Sequence, residues 1–228
     1  MTTIPFLSCS QVYFGVGAIL NLAPVLRGLG ARRALVVTDR GVREAGILDE
    51  PVSALSSSGV GCMVYDDIRP EPDESAVDSL INAARSERID AVVGLGGGSA
   101  MDCAKLAAIV LAHGGSLRDY LGQGKVTGEG IPLVLAPTTS GTGSESTPNA
   151  LFTVDGEKQA VVSPYLLPKA AVIDPIVTVT APARVTAASG VDALVHACES
   201  FTSLRANVLT EMYSLSAAEL IAGSIRTA

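Results

Sequence analysis

The chain has 228 residues, 48% apolar and 17% charged, which allows a sizeable packed core in one large domain, or one domain and part of a second, and argues against disorder. A net charge of −7 without any Lys/Arg block removes the electrostatic footprint of a nucleic-acid binder. The longest apolar runs, such as residues 106–112, fall far short of a membrane span of about 20 residues, and residues 1–8 lack the basic start of a secretory signal, so the cytoplasm is the expected compartment.

In chain order, apolar β-branched runs alternate with Ala/Leu-rich stretches of helical period, which predicts an α/β fold. Strands are expected at residues 11–14, 34–38, 61–65, 91–95 and 133–136, the last four as buried parallel strands because they are almost wholly apolar. Helices are expected between them at residues 18–28, 42–57, 74–86 and 100–113. Two alternating runs, residues 150–154 and 160–162, flank Asp155-Gly156-Glu157-Lys158 and read as a hairpin hanging off the end of the sheet. After Pro182 strand signals stop, and residues 185–228 read as one helical tract. The expected division is a sheet domain at residues 1–181 and the start of a helical domain at 182–228. About 45 residues of helix bury too little area to stand alone. Met212, Leu215, Ala218, Ile221 and Ile225 share a face with nothing to cover it, so missing sequence or a partner is expected. Residues 11–14 at a sheet edge and that uncovered helix point to a homodimer. Cys9, Cys62, Cys103 and Cys198 form no CxxC pair and are expected to be buried, reduced thiols.

Three motifs carry chemistry. Gly94-Leu95-Gly96-Gly97-Gly98-Ser99 lies between a strand and a helix, where glycines let a ligand approach the backbone and the helix's first amides favour a pyrophosphate. A tight turn, with Ser99 and Asp102 as an S-x-x-D capping box, explains the same residues. Asp39 ends an earlier strand, where its carboxylate would accept from an adenosine ribose and repel a 2′-phosphate; a strand-ending turn residue accounts for it equally. Pro137-Thr138-Thr139-Ser140-Gly141-Thr142-Gly143-Ser144-Glu145 sets five hydroxyls at the end of another strand, expected to face the glycine turn. Thr142 and Glu145 again fit a capping box. In the helical tract, Asp192 and His196 are four residues apart, so carboxylate and imidazole share one helix face and could hold a divalent metal together. Two ligands do not make a site, and Ser189 with Asp192 forms a further capping box.

Phe14-Gly15-Val16-Gly17-Ala18, Gly96-Gly97-Gly98-Ser99 with Asp102 and Lys105, Pro137-Thr138-Thr139 followed by Gly141-Thr142-Gly143-Ser144-Glu145, and Gly190-Val191-Asp192-Ala193-Leu194 with His196 and Glu199 occur in one order. This ordered set resembles the iron-containing (group III) alcohol dehydrogenase family along the whole chain. The resemblance implies a Rossmann-like domain binding a nicotinamide dinucleotide, followed by an all-helical domain, incomplete here, in the architecture shared with dehydroquinate synthase. A catalytic Fe²⁺, sometimes Zn²⁺, would lie between the two. By resemblance Asp39 binds the adenosine ribose, which favours NAD over NADP, and Gly97, Gly98 and Ser99 form the pyrophosphate loop. Thr138, Thr139 and Thr142 match the hydroxyl loop beside the phosphates and nicotinamide ribose, Lys158 a lysine that approaches the cofactor, and Val179 a position near the nicotinamide ribose. Asp192 and His196 match the first two metal ligands. Glu71 stands where many members have Asn. The family takes two further ligand histidines from later in the helical domain, and no histidine follows His196 here, so weak or absent metal binding is expected.

The implied activity is reversible hydride transfer between a small alcohol and NAD, giving an aldehyde or ketone, with the metal lowering the alcohol's pKa. The competing expectation is a non-catalytic NAD-binding fragment or pseudoenzyme. A zinc-dependent relative of glycerol dehydrogenase or dehydroquinate synthase shares the architecture, but the 138–145 loop resembles the iron-containing branch better.

Overall fold

The computed structural model describes residues 6–228. Its strands are β1 (Val12–Phe14), β2 (Arg33–Val37), β3 (Gly61–Tyr65), β4 (Ala91–Gly96), β5 (Gly122–Gln123), β6 (Leu133–Pro137), β7 (Asn149–Val154), β8 (Glu157–Val162) and β9 (Ala170–Ile173). The helices are α1 (Leu22–Gly28), α2 (Arg40–Glu44), α3 (Asp49–Ser57), α4 (Glu74–Arg85), α5 (Gly98–His113), α6 (Ala183–Thr202) and α7 (Val208–Ser224). Two compact units emerge: the described residues up to Thr138 with Ser144–Val179, and Thr139–Gly143 with Thr180–Ala228.

In the larger unit six parallel strands run in the order β1-β9-β6-β4-β2-β3. Because side chains alternate across a strand, Leu35 and Val37 pack on one face with α4 and α5, while Ala34 and Val36 pack on the other with α1 and α3. Each fully buried Leu or Val on these faces contributes about 1.5–3 kcal/mol. The α/β sheet with helices on both faces is therefore the expected one, and β1 does lie at an edge. β3 is the opposite edge and only half-buried, not a core strand.

The chain goes from β2 outward to β3, then returns to place β4 on the other side of β2. The strand order thus reverses between β2 and β4, the position where open parallel sheets leave a crevice at their carboxyl ends.

Several expectations need correction. The helix expected at residues 42–57 is two, α2 and α3, because Gly46 takes φ 72° between them. The segment at 18–28 starts with a short 3₁₀ turn, Ala18–Asn21. β9, after the hairpin where no strand is expected, is a buried strand between β1 and β6. The hairpin turns on Asp155 and Gly156 alone, at φ 53° and 81°, the positive pair that type I′ requires. It does not hang off the sheet: with β5 it forms a second, three-stranded sheet whose Phe152, Val154 and Val161 join the α5 core. Cys62 is half-buried and Cys198 exposed, whereas Cys9 and Cys103 are buried; all four are free thiols.

In the smaller unit the expected single helical tract is broken into α6 and α7. Asn207 starts α7, its Oδ1 accepting from Leu209 N at 3.0 Å and Thr210 N at 3.3 Å. α6 and α7 meet closely at Gly190, where a β-carbon would stand 3.1 Å from Ile225 Cδ1. Only Ala197 and Ser214 in these helices are buried, while Leu204, Val208, Met212, Leu215 and Leu220 are exposed. Among the described residues no helix is long and apolar enough to cross a membrane.

A β-carbon at Gly94 would stand 2.7 Å from Leu135 Cδ2, 2.9 Å from Ala104 Cβ and 3.2 Å from the Met101 backbone. Gly94→Ala is therefore expected to cost about 1–3 kcal/mol, measured as a lower midpoint in urea unfolding with unchanged m.

Candidate functional site

The glycine turn lies at that reversal point. β4 ends at Gly96, Gly97 is extended (φ −74°, ψ −176°) and α5 starts at Gly98. Ser99 is thus inside the helix, and the Ser99–Asp102 capping box is not formed. Gly97 offers no side-chain cap, so the first amides of α5 and the positive end of its dipole are presented without one, the arrangement that suits a phosphate. A β-carbon at Gly96 would be 2.8 Å from Ala100 Cβ and 3.5 Å from Asp39 Oδ2, so only glycine fits this seat.

Asp39 follows β2 and is half-buried. Its Oδ1 accepts from Val42 N at 3.0 Å and caps α2, while Oδ2 lies toward Gly96. One carboxylate oxygen thus serves the helix cap and the other faces the glycine turn. The neighbouring cations are engaged: Arg40 Nη2 is 2.6 Å from Asp67 and Arg43 Nη1 2.6 Å from Asp66.

The hydroxyl-rich stretch leaves β6 at Thr138, which is buried and whose N–H donates to Gly96 O at 3.0 Å. Thr139–Gly143 belong to the smaller unit. There a β-carbon at Gly141 would be 2.8 Å from Ser189 Cβ and 2.9 Å from Ser189 O, so the loop lies against α6 one turn before Asp192. The chain returns to the larger unit at Ser144, whose Oγ donates to Asp102 Oδ1 at 2.6 Å.

Around Asp102 lies a network that sequence reasoning missed. Lys105 is fully buried, and Nζ donates to Thr147 O (3.0 Å), Thr147 Oγ1 (3.1 Å) and Asn149 O (2.6 Å), 3.8 Å from Asp102 Oδ1. Asp102 Oδ2 accepts from Leu151 N at 3.1 Å. Burial lowers the Lys105 ammonium to about 8, opposed by Asp102 and Glu145. Burial raises the Asp102 carboxyl, opposed by Lys105 and Ser144, and likewise raises that of Glu145. The available signal was α5 itself: a helix apolar on every side has nowhere to expose its two charged residues.

In the smaller unit, His196 Nε2 is 3.8 Å from Asp192 Oδ1 and both side chains are about half exposed. Their helix starts at Ala183, so Ser189 is interior, and its Oγ donates to Thr186 O. The capping explanation of Asp192 is thereby removed. Among the described residues no three His, Cys, Asp or Glu side chains come together as a metal site. The pair fits as two donors of a coordination set, not as a complete one.

Lys158 on β8 is exposed, with Nζ 3.8 Å from Glu71 Oε1. Glu71 has φ 53°, a left-handed conformation that Asn tolerates far better than Glu. Val179, after the 3₁₀ turn Pro175–Thr178, is exposed.

A glycine turn and an acidic strand end thus meet at the strand-order reversal of a parallel α/β sheet, the place where such sheets bind ligands. The family described as iron-containing alcohol dehydrogenase matches residues 9–175, and its C-terminal domain, described as Fe-containing alcohol dehydrogenase family, C-terminal, matches residues 186–228. The chain belongs to the iron-containing alcohol dehydrogenase family. It is 41% identical over 219 residues to long-chain-alcohol dehydrogenase 1 of Geobacillus thermodenitrificans (strain NG80-2), a match covering 95% of this chain and 55% of that one. The fold matches the crystal structure of a 1,3-propanediol oxidoreductase with a TM-score of 0.95 at 34% identity, over 99% of this chain and 59% of that one. It also matches sulfoacetaldehyde reductase from Bifidobacterium kashiwanohense in complex with NAD⁺, with a TM-score of 0.92 at 30% identity, over 99% and 60%. The chain thus spans a little over half the length of these relatives.

Lys105 has a folded-state pKa below its ordinary 10.5, so the unfolded chain holds more protons between about pH 8 and 10.5. Stability relative to Lys105→Met is therefore expected to rise with pH across that window, by up to roughly 3 kcal/mol, and to be flat below it. Urea unfolding of both proteins from pH 7 to 10.5 measures the difference.

Proposed function

We propose that this chain is the cofactor-binding part of a metal-dependent alcohol dehydrogenase that moves a hydride reversibly between a small alcohol and NAD, giving an aldehyde or ketone. The observation that carries the reading is the convergence of Asp39, Gly96 and the uncapped start of α5 at the strand-order reversal of a chain in this family. Gly97, Gly98 and Ser99 would hold the pyrophosphate through first-turn amides, and Asp39 the adenosine ribose. Thr138, Thr139 and Thr142 would supply hydroxyls, Lys158 a charge from the hairpin, and Val179 an apolar contact. The bound nicotinamide supplies the hydride acceptor or donor, and the protein's part is to bind and orient it. Long-chain alcohol, 1,3-propanediol and sulfoacetaldehyde in the relatives' names support a hydroxyl or carbonyl compound as the substrate class.

Asp39 favours NAD because its charge would oppose a 2′-phosphate and the nearby Arg40 is already paired. Asp39→Asn keeps an oxygen for the α2 cap while removing the charge. The ratio of NADP to NAD affinity is expected to rise on the order of tenfold, about 1.4 kcal/mol, with the melting temperature nearly unchanged. An unchanged ratio in calorimetric titrations would remove Asp39 from the cofactor site.

Asp192 and His196 would be two ligands of the Fe²⁺ or Zn²⁺, which supplies Lewis acidity to the alcohol oxygen when a complete site holds it. Among the described residues that pair is joined by no third donor, so an NAD-binding fragment or pseudoenzyme without catalysis is the second reading. NAD is expected to bind equally with Fe²⁺, Zn²⁺ or chelator present. Tighter binding with metal, and NADH formed from added alcohol, would instead mean that the donor set is complete.

Four free thiols support a reducing compartment, the cytoplasm. A homodimer is supported by β1, an open parallel edge whose Val12 and Phe14 are exposed beside Val16. Light scattering is expected to give a dimer mass, and Phe14→Lys a monomer; a monomeric wild type rejects the dimer.

A further inference from the structure

The stretch from Thr138 to Ser144 is held at both ends by one strand–helix pair. Thr138 N–H donates to Gly96 O at the end of β4, and Ser144 Oγ donates to Asp102 one turn into α5. Beyond Ser144 the hold continues. Lys105 spends its three protons on Thr147 O, Thr147 Oγ1 and Asn149 O, Thr147 Oγ1 in turn donates to Ser144 O at 3.3 Å, and Asp102 Oδ2 receives Leu151 N–H. The helix whose first turn presents the uncapped amides therefore also fixes, from its second and third turns, the segment that closes the hydroxyl-rich stretch.

We propose that Lys105, in its charged form and together with Asp102, is the positioning residue of the cofactor site: it fixes residues 144–151, and so the return end of the stretch carrying Thr138, Thr139 and Thr142. The proposal rests on the NAD reading above. Its chemistry is specific to an ammonium. Three acceptors, two of them carbonyls, converge on Nζ, and a neutral amine has two protons and a lone pair to set against them. The other charged groups acting on Nζ are the carboxylates of Asp102 on α5 and Glu145 in the 3₁₀ turn Ser144–Ser146, and both favour the charged form.

A merely structural lysine would move stability and cofactor affinity in the same direction. The positioning role separates them. Above about pH 8 loss of the proton relieves the burial cost of the charge, so the fold tightens, while the third donor is lost and the segment loosens.

The experiment uses the full chain in three forms, wild type, Lys105→Met and Thr147→Val, the last removing one of the three acceptors of Nζ and the Thr147 Oγ1 bond to Ser144 O should Lys105→Met fail to fold. NAD titrations at pH 7 and 9.5 are paired with amide hydrogen exchange of residues 139–151 and with urea unfolding. In the wild type, affinity should fall at least about threefold from pH 7 to 9.5 while stability does not. Lys105→Met should bind about tenfold more weakly at pH 7 with no such pH step, and exchange across 144–151 should quicken at least tenfold. Thr147→Val should show both effects in smaller degree. Unchanged exchange at 144–151 in both variants, or affinity that follows stability with pH in every form, overturns the proposal. If the wild type binds no NAD at pH 7, the NAD reading fails, and the exchange result alone decides whether Lys105 fixes the segment.

Discussion

Everything in the larger unit depends on how closely α5 sits on β4. Gly94 and Gly96 have no β-carbons because Ala104, Met101 and Ala100 occupy that space, and the close seat lets a nearly wholly buried helix serve as the centre of the unit. On one side α5 packs on the parallel sheet through Leu35, Val92 and Leu135; on the other it is covered by Phe152, Val154 and Val161 of the hairpin sheet. A helix so enclosed must be apolar all round. Its N-terminus then emerges beside Asp39 because β2 and β4 are neighbours in register, Val37 opposite Gly94. The seat that packs the core is the seat that presents the helix dipole.

This explains which parts were legible in the sequence. The strands β2, β4 and β6 and the helix α5 announce themselves by composition, since burial on both faces leaves continuous apolar runs, and the half-buried edge strand β3 is apolar enough to read the same way. β9 was lost because Ala170-Ala171-Val172-Ile173 is only four residues long and follows a hairpin, so no alternation or flanking helix marks it. The capping boxes at Ser99 and Ser189 failed for another reason. S-x-x-D is a local pattern, whereas Asp102 found its partners 42 and 49 residues away and Ser189 found itself inside a helix begun at Ala183. In both cases the carboxylate was released from a local explanation, Asp102 to a buried network and Asp192 to stand beside His196.

The site residues divide along the same line. Asp39 and the glycine turn could be placed together only through strand order, which no short motif encodes, and the order of β3, β2 and β4 supplies it. Thr139, Thr142, Asp192 and His196 belong to the smaller unit, where Gly141 rests against Ser189 and little side-chain area is buried. Glu71 shows a local rule broken: a left-handed backbone position filled by a long acidic side chain, with Lys158 Nζ 3.8 Å from its carboxylate.

Lys105 is the clearest conflict between stability and geometry. Lowering an ammonium from 10.5 to about 8 corresponds to roughly 3 kcal/mol of disfavoured charge, which a methionine of similar length would avoid. The carboxylates of Asp102 and Glu145 oppose that cost without cancelling it, and three hydrogen bonds satisfy the ammonium's protons. What the lysine supplies and methionine cannot is direction: Thr147 O, Thr147 Oγ1 and Asn149 O are each drawn to one point, and the segment has no freedom to slide along α5. Apolar packing against a smooth helix would tolerate such sliding, since dispersion contacts are non-directional. A buried ammonium whose charge burial disfavours, yet which draws three acceptors to one point, fits selection on placement more than on stability.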